Sequence, residues 1–134
     1  MKKIFKIILV FVGLFIFQNC SHHIDDKPLD IYLDNTSNED IRFIFYFVQF
    51  EQKEIPMHYT SFLLKKHKVN ISNGAIRTFD FKRNTYITIK IWKQSTIKRF
   101  SWEEIQQNHI CDKKYRLTLD DIRNMNYTII YDGN

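Results

Sequence analysis

Apolar and polar residues alternate at every second position in separate runs along this chain, and no other feature restricts its fold as much. Ile87, Ile89 and Ile91 alternate with Tyr86, Thr88, Lys90 and Trp92, and Leu29, Ile31 and Leu33 alternate with Asp30, Tyr32 and Asp34. A strand points successive side chains to opposite faces, so each run predicts a half-buried strand with one inner face. Ile41 to Phe50 is apolar on both faces, with Ile41, Phe43, Phe45 and Phe47 on one and Ile44, Tyr46, Val48 and Phe50 on the other. Such a strand belongs in the middle of a sheet, covered on both sides. Tyr127 to Tyr131 reads as a closing strand.

Between these runs the punctuation is that of turns and short helices. Asn35-Thr36-Ser37-Asn38-Glu39-Asp40 is turn chemistry. Asn73-Gly74 separates Val69 to Ser72 from Ala75 to Phe81 and predicts a hairpin, because both residues accept the left-handed backbone of a tight two-residue loop. Ser101-Trp102-Glu103-Glu104 and Thr118-Leu119-Asp120-Asp121 each place a hydroxyl three residues before a carboxylate, the spacing of a capping box. Phe100 with Ile105, and Leu117 with Ile122, flank the two boxes as hydrophobic staples, and the second helix should run to about Met125. The chain has three glycines and two prolines in 134 residues, so neither collagen-like nor low-complexity structure fits. The predicted class is mainly β, an antiparallel β-sandwich or partly open barrel with two short capped helices near the C-terminus.

The first twenty residues differ from everything after them. Lys2, Lys3 and Lys6 precede an apolar run from Ile7 to Phe17, which Gln18, Asn19 and Cys20 end. That order is the layout of a secretory signal. A run of 11 residues also falls short of the roughly 20 that a spanning helix needs. The segment resembles a bacterial lipobox, with Phe17 and Asn19 where Leu and a small residue are usual, and the resemblance implies diacylglyceryl transfer to the Cys20 thiol. The predicted division is a lipoprotein signal peptide over residues 1–19, a lipidated Cys20 and flexible tether over 20–28, and a single β-rich domain over 29–134.

Without residues 1–19 the basic count falls from 20 to 17 against 15 acids, so the net charge drops from +5 to +2. Nucleic-acid binding is therefore not expected. If Cys20 carries lipid, Cys111 has no partner within the chain, and packing alone must hold the domain. Cys111 itself reads as a small, semi-buried apolar residue.

Three blocks of the C-terminal part carry a family likeness: Ser101-Trp102-Glu103-Glu104-Ile105, Tyr115-Arg116-Leu117-Thr118-Leu119-Asp120-Asp121-Ile122, and Met125-Asn126-Tyr127-Thr128-Ile129-Ile130-Tyr131. They resemble a group of small Bacteroidota lipoproteins of uncharacterised function, which usually have Trp at the position of Tyr127. Asp34 to Ile41 is similar to the first hairpin of that group. The resemblance implies an envelope location and a β-rich domain, and it brings no catalytic residue.

Candidate chemistry is sparse. His22-His23 with Asp25-Asp26 could ligate a transition metal, but a solvated spacer is the better reading of adjacent histidines in a tether. Lys65-Lys66-His67-Lys68 could meet anionic lipid, but a solvated strand end is the better reading. Glu103-Glu104 and Asp120-Asp121 read as first-turn carboxylates, favoured by the helix dipole, and not as a glycosidase pair. Tyr32, Tyr86, Trp92 and Trp102 could form a stacking platform, although a small disulfide-free core needs the same residues. No nucleotide, metal or nucleophile motif occurs, and no cofactor is expected. The expected function is that of a non-enzymatic, lipid-anchored protein-binding or accessory module. It would be held on the membrane through Cys20, in the outer membrane ahead of the inner, facing periplasm or exterior. A glycan-binding surface domain and an unrecognised hydrolase are the alternatives.

Overall fold

A computed structural model describes residues 26–47, 57–83 and 86–134. The signal segment, Cys20, His22, His23, Asp25 and the expected strand end at Val48 to Phe50 lie outside the described residues. Among the described residues, seven strands run in chain order: β1 (Tyr32–Asn35), β2 (Ile41–Phe47), β3 (Ser61–Leu63), β4 (His67–Asn70), β5 (Ile87–Lys93), β6 (Lys113–Leu117) and β7 (Thr128–Tyr131). Four short α-helices among the described residues punctuate them: α1 (Asp80–Arg83), α2 (Gln94–Arg99), α3 (Trp102–Gln107) and α4 (Leu119–Asn124).

The strands form two sheets, ordered β4-β1-β7 and β3-β2-β5-β6, in a mainly β, sandwich-like arrangement that does not close into a barrel. Ile31, Leu33, Ile129 and Tyr131 from the first sheet join one core with Ile41, Phe43, Leu63, Ile87, Ile89, Ile91 and Leu117 from the second. The period-two runs therefore mark the inner faces as expected. β2 is an interior strand between β3 and β5, although its outer face is covered only in part: Tyr46 is buried and Ile44 half-buried.

Pairing is antiparallel throughout the four-stranded sheet. The exception to the antiparallel expectation is β1 with β7, which run parallel with Leu33 opposite Ile129. Parallel neighbours need a crossover, and here the chain between β6 and β7 carries α4, whose Ile122 is fully buried.

The hairpin expected at Asn73-Gly74 is corrected. Both residues do adopt positive φ, 44° and 71°, and Ala75 N–H donates to Ser72 C=O at 2.8 Å, so the tight turn forms. The chain leaving it does not return along β4. Tyr32 stands opposite Asn70, whereas Pro28 stands opposite Arg77, so the three residues between them on one strand face six on the other. The turn is thus a looped-out bulge in a continuing antiparallel pairing, with Leu29 N–H donating to Ile76 C=O at 2.8 Å beyond it. Ser72 bridges the interruption: its buried hydroxyl accepts from Ile31 N–H at 3.0 Å and donates to Leu29 C=O. Among the described residues, pairing already includes Lys27 and Pro28, slightly before the expected Leu29.

Both capping boxes form. Glu104 N–H donates to Ser101 Oγ (3.2 Å) while Ser101 N–H donates to Glu104 Oε2 (2.8 Å), and Thr118 with Asp121 repeats the exchange at 3.2 and 2.9 Å. The two helices also end alike. His109 (φ 53°) and Asn126 (φ 49°) take the left-handed position after the C-cap. Ile110 N–H donates back to Ile105 C=O and His109 N–H to Gln106 C=O; Tyr127 and Asn126 donate likewise to Ile122 and Arg123. Each helix is closed by a Schellman motif without glycine. α1 and α2 were not foreseen: α2 starts at Lys93 with no side-chain cap, and α1 lies in a stretch that reads as a strand.

Candidate functional site

At one end of the sandwich the turn after β1, the turn after β3 and the start of α2 come together. Asn35 organises them. It is fully buried at the end of β1, and its Nδ2 donates to Glu39 C=O (2.8 Å) and Leu64 C=O (3.2 Å), tying the two turns to each other. Its Oδ1 accepts from the Ser37 N–H (3.2 Å) and hydroxyl (2.6 Å). A buried amide that fills all its bonding positions fixes the loops around it.

Those loops enclose an open recess of about 280 Å3 lined by Asn38, Glu39, Asp40, Lys65, Gln94, Ser95 and Lys98. Its two acids are anchored by backbone donors: Ser95 N–H reaches Glu39 Oε2 at 3.2 Å, and Lys65 N–H reaches Asp40 Oδ1 at 2.9 Å. The Ser95 hydroxyl, opposed by some loss of solvation and aided by the Ser95 N–H, Lys93 and Lys98, holds the Glu39 carboxyl below the ordinary carboxylate range. The recess therefore presents fixed carboxylates beside two lysines, a mixed-charge surface suited to polar recognition. Asp26, the first described residue, stands at the other end of the β1 run, where its carboxylate pairs with Arg77 at 3.2 Å.

Tyr131 ends β7 opposite Asn35. It is fully buried, and its hydroxyl meets no hydrogen-bond partner among the described residues. Burial first, then the charges of Asp112, Tyr115, Glu39 and Asp132, push the phenol up to about 12. It stays neutral across the physiological range.

The residues singled out in the sequence are dispersed. Glu104 and Asp121 are spent on their capping boxes, and Asp120 pairs with Arg123 at 3.1 Å. Trp92 is 1% exposed, donates from Nε1 to Ile110 C=O at 2.6 Å, and packs edge-on to Trp102 at 5.1 Å. It is a packing residue. Tyr32 carries the Lys68 ammonium over its ring at 4.7 Å, and Tyr86 faces the Arg116 guanidinium at 5.3 Å on the other sheet. The four aromatics therefore form no common platform. Lys65 to Lys68 occupy an exposed turn and the start of β4. Cys111 is half-buried, and burial pushes its thiol up against the pull of Lys90 and Lys114. Among the described residues no group of three or more His, Cys, Asp and Glu side chains could hold a metal ion, and no helix is long and apolar enough to cross a membrane.

The recess residues come from three separate turns, and the only sequence signal at them is polar turn composition. No protein-family model, curated protein or solved structure matches this chain.

Proposed function

We propose that this chain is a lipid-anchored cell-envelope protein that works by contact, a non-enzymatic binding or accessory module carried on the membrane by acylated Cys20. The anchor reading is supported by the lysine-led apolar run before Cys20. Two or more acyl chains bind stably where one binds only marginally. The contact reading rests on one observation: the recess of Glu39, Asp40, Lys65 and Lys98 lies at the end of the sandwich away from Asp26, and so away from the tether. A domain held at one end presents its opposite end to whatever approaches the membrane. The expected partner is a protein segment that offers both charge signs, because the recess does.

Two measurements test the reading. Growth with a clickable fatty acid should label the wild type and spare Cys20→Ala; equal labelling removes the anchor. A photo-crosslinking residue at position 94 should then trap one defined partner in intact envelopes, and Lys65→Glu with Lys98→Glu should abolish the product. A crosslink that survives those changes would reject the recess as the contact site.

A further inference from the structure

Charges cross the recess in a fixed order, which narrows what it can receive. β2 lies between β3 and β5, and Ile41 at its start stands opposite Leu63 on one side and Lys93 on the other. Two residues outward from these three positions come Glu39, Lys65 and Ser95, so three segments leave the sheet side by side. Neighbouring strands run about 4.8 Å apart, which sets the segments of Lys65 and Ser95 about 10 Å from each other with the acids between them. Lys98 follows Ser95 by three residues on α2, one turn along the same face. The two acids lean to opposite neighbours: Ser95 N–H holds Glu39, and Lys65 N–H holds Asp40. From β3 to β5 the recess therefore runs lysine, carboxylate pair, lysine.

The two signs differ in freedom. Both carboxylates are bonded to backbone amides, and the Asn35 amide fixes the turns around them through Glu39 C=O and Leu64 C=O. The lysines are not tied in this way. Among the described residues no hydrogen bond or ion pair ends on the Lys65 or Lys98 ammonium, and Lys98 acts on Glu39 through its charge alone. Each ammonium rides on a flexible four-carbon stem. The set element of the recess is thus negative and its adaptable element positive.

A preorganised acceptor needs little ordering on binding, so the centre of the recess takes a cation. A bare cation is opposed by the two lysines, whereas one flanked by anions gives each lysine a partner as well. An extended chain sets the side chains at i−2, i and i+2 on one face over about 13 Å, a span that lysine stems reach from segments about 10 Å apart. The opposite order, an acid flanked by bases, would set like charges together at all three places.

We propose that the recess receives an extended segment of the partner protein in which a basic side chain, seated on Asp40, is flanked two residues away on each side by acidic side chains that pair with Lys65 and Lys98. This rests on the contact reading and names the chemistry of that contact. The Asn38 and Gln94 amides also line the recess, and each offers a donor and an acceptor to the backbone of such a segment.

Amide NMR spectra of the purified, isotope-labelled full-length chain in detergent read binding at Asp40, Lys65 and Gln94, with blocked pentapeptides as probes. Acetyl-Glu-Ala-Arg-Ala-Glu-amide should shift those amides. It should bind about tenfold tighter than the same peptide with Gln for Arg, with Gln for both Glu, or in the reversed order Arg-Ala-Glu-Ala-Arg. Asp40→Asn keeps an oxygen for Lys65 N–H and removes the charge, so the turn stands while the acid-flanked probe should bind about tenfold more weakly. Lys98→Gln should erase most of the advantage of that probe over its Gln-flanked counterpart. No shift at the three amides with any probe, binding of the acid-flanked probe no tighter than that of the other three, or unchanged affinity in Asp40→Asn would overturn the proposal. The photo-crosslink from position 94 separates the two readings. A partner crosslink that Asp40→Asn leaves intact defeats the basic anchor and leaves the contact; probe binding without a partner crosslink in envelopes defeats the contact and supports the charge order.

Discussion

The indole Nε1–H of Trp92 donates to the carbonyl of Ile110 across 2.6 Å, joining the C-terminal end of β5 to the residue that closes the Schellman motif of α3. The contact ties the helical excursion between β5 and β6 to the sheet, and Ile105 of α3 is itself buried. Trp92→Phe keeps most of the ring volume and removes the donor. The expected loss is about 1–3 kcal/mol, the cost of a part-buried carbonyl left without its partner. Urea unfolding of the variant would measure it, and an unchanged midpoint would show that the bond contributes nothing net.

Ser72→Ala should cost a similar amount, about 1–3 kcal/mol, since Ile31 N–H and Leu29 C=O would both lose their bridge across the bulge. Amide exchange should report the same event locally, with the Ile31 amide losing protection before those of β5.

Asn35→Ala should be more damaging than either. Four bonds end on that amide, linking the turns after β1 and β3, so a loss of about 2–4 kcal/mol is expected in thermal or urea unfolding. The recess crosslink from position 94 should weaken in the same variant under conditions where it is still folded.

His109→Gly should stabilise. The exposed histidine holds φ 53° at the closing position of α3, where a residue with a Cβ loses about 1 kcal/mol relative to glycine. A rise in the unfolding midpoint checks this. Gly there also loosens the unfolded chain, so the net gain should lie below that figure.

Acid should loosen the second capping box. Hydrogen bonds from the Thr118 hydroxyl and then its N–H hold the Asp121 carboxyl below its ordinary value of 3.8. A carboxyl depressed in the folded state contributes its full stability above the unfolded value and loses it as pH falls through the folded one. The Asp121 contribution is thus fully present only well above 3.8 and is lost progressively as pH falls through the lower folded value. Asp121→Asn should flatten that part of the stability profile, and a profile identical to wild type would refute the assignment.

Several of these features were legible in the residues alone, and they share a physical character. The capping boxes depend on groups three residues apart, so Ser101 with Glu104 and Thr118 with Asp121 needed nothing beyond their own helices. The buried faces of Ile87 to Ile91 and Leu29 to Leu33 followed from the two-residue period of a strand. Other elements left weaker marks. β3, with three residues, and β4, with four, are too short to show a period, and β6 sets Tyr115 and Leu117 among cations. α2 has no side-chain cap to announce it. The C-terminal closures escaped notice because His109 and Asn126 stand where glycine is the usual signal.

Alternation and capping chemistry by themselves determined that this chain forms strands with one apolar face and two short capped helices, because those rules act between residues close in sequence. Tertiary structure decided the partners. Asn73-Gly74 makes the same tight turn in a hairpin or in a bulge, and the strand it re-enters is chosen by Leu29 and Ile76, far apart in sequence. The parallel seat of β7 beside β1, the burial of Trp92 under α3, and the meeting of Glu39, Lys65 and Lys98 around Asn35 are likewise set by which surfaces bury together. Hydrophobic burial is non-directional, so no local pattern encodes its outcome.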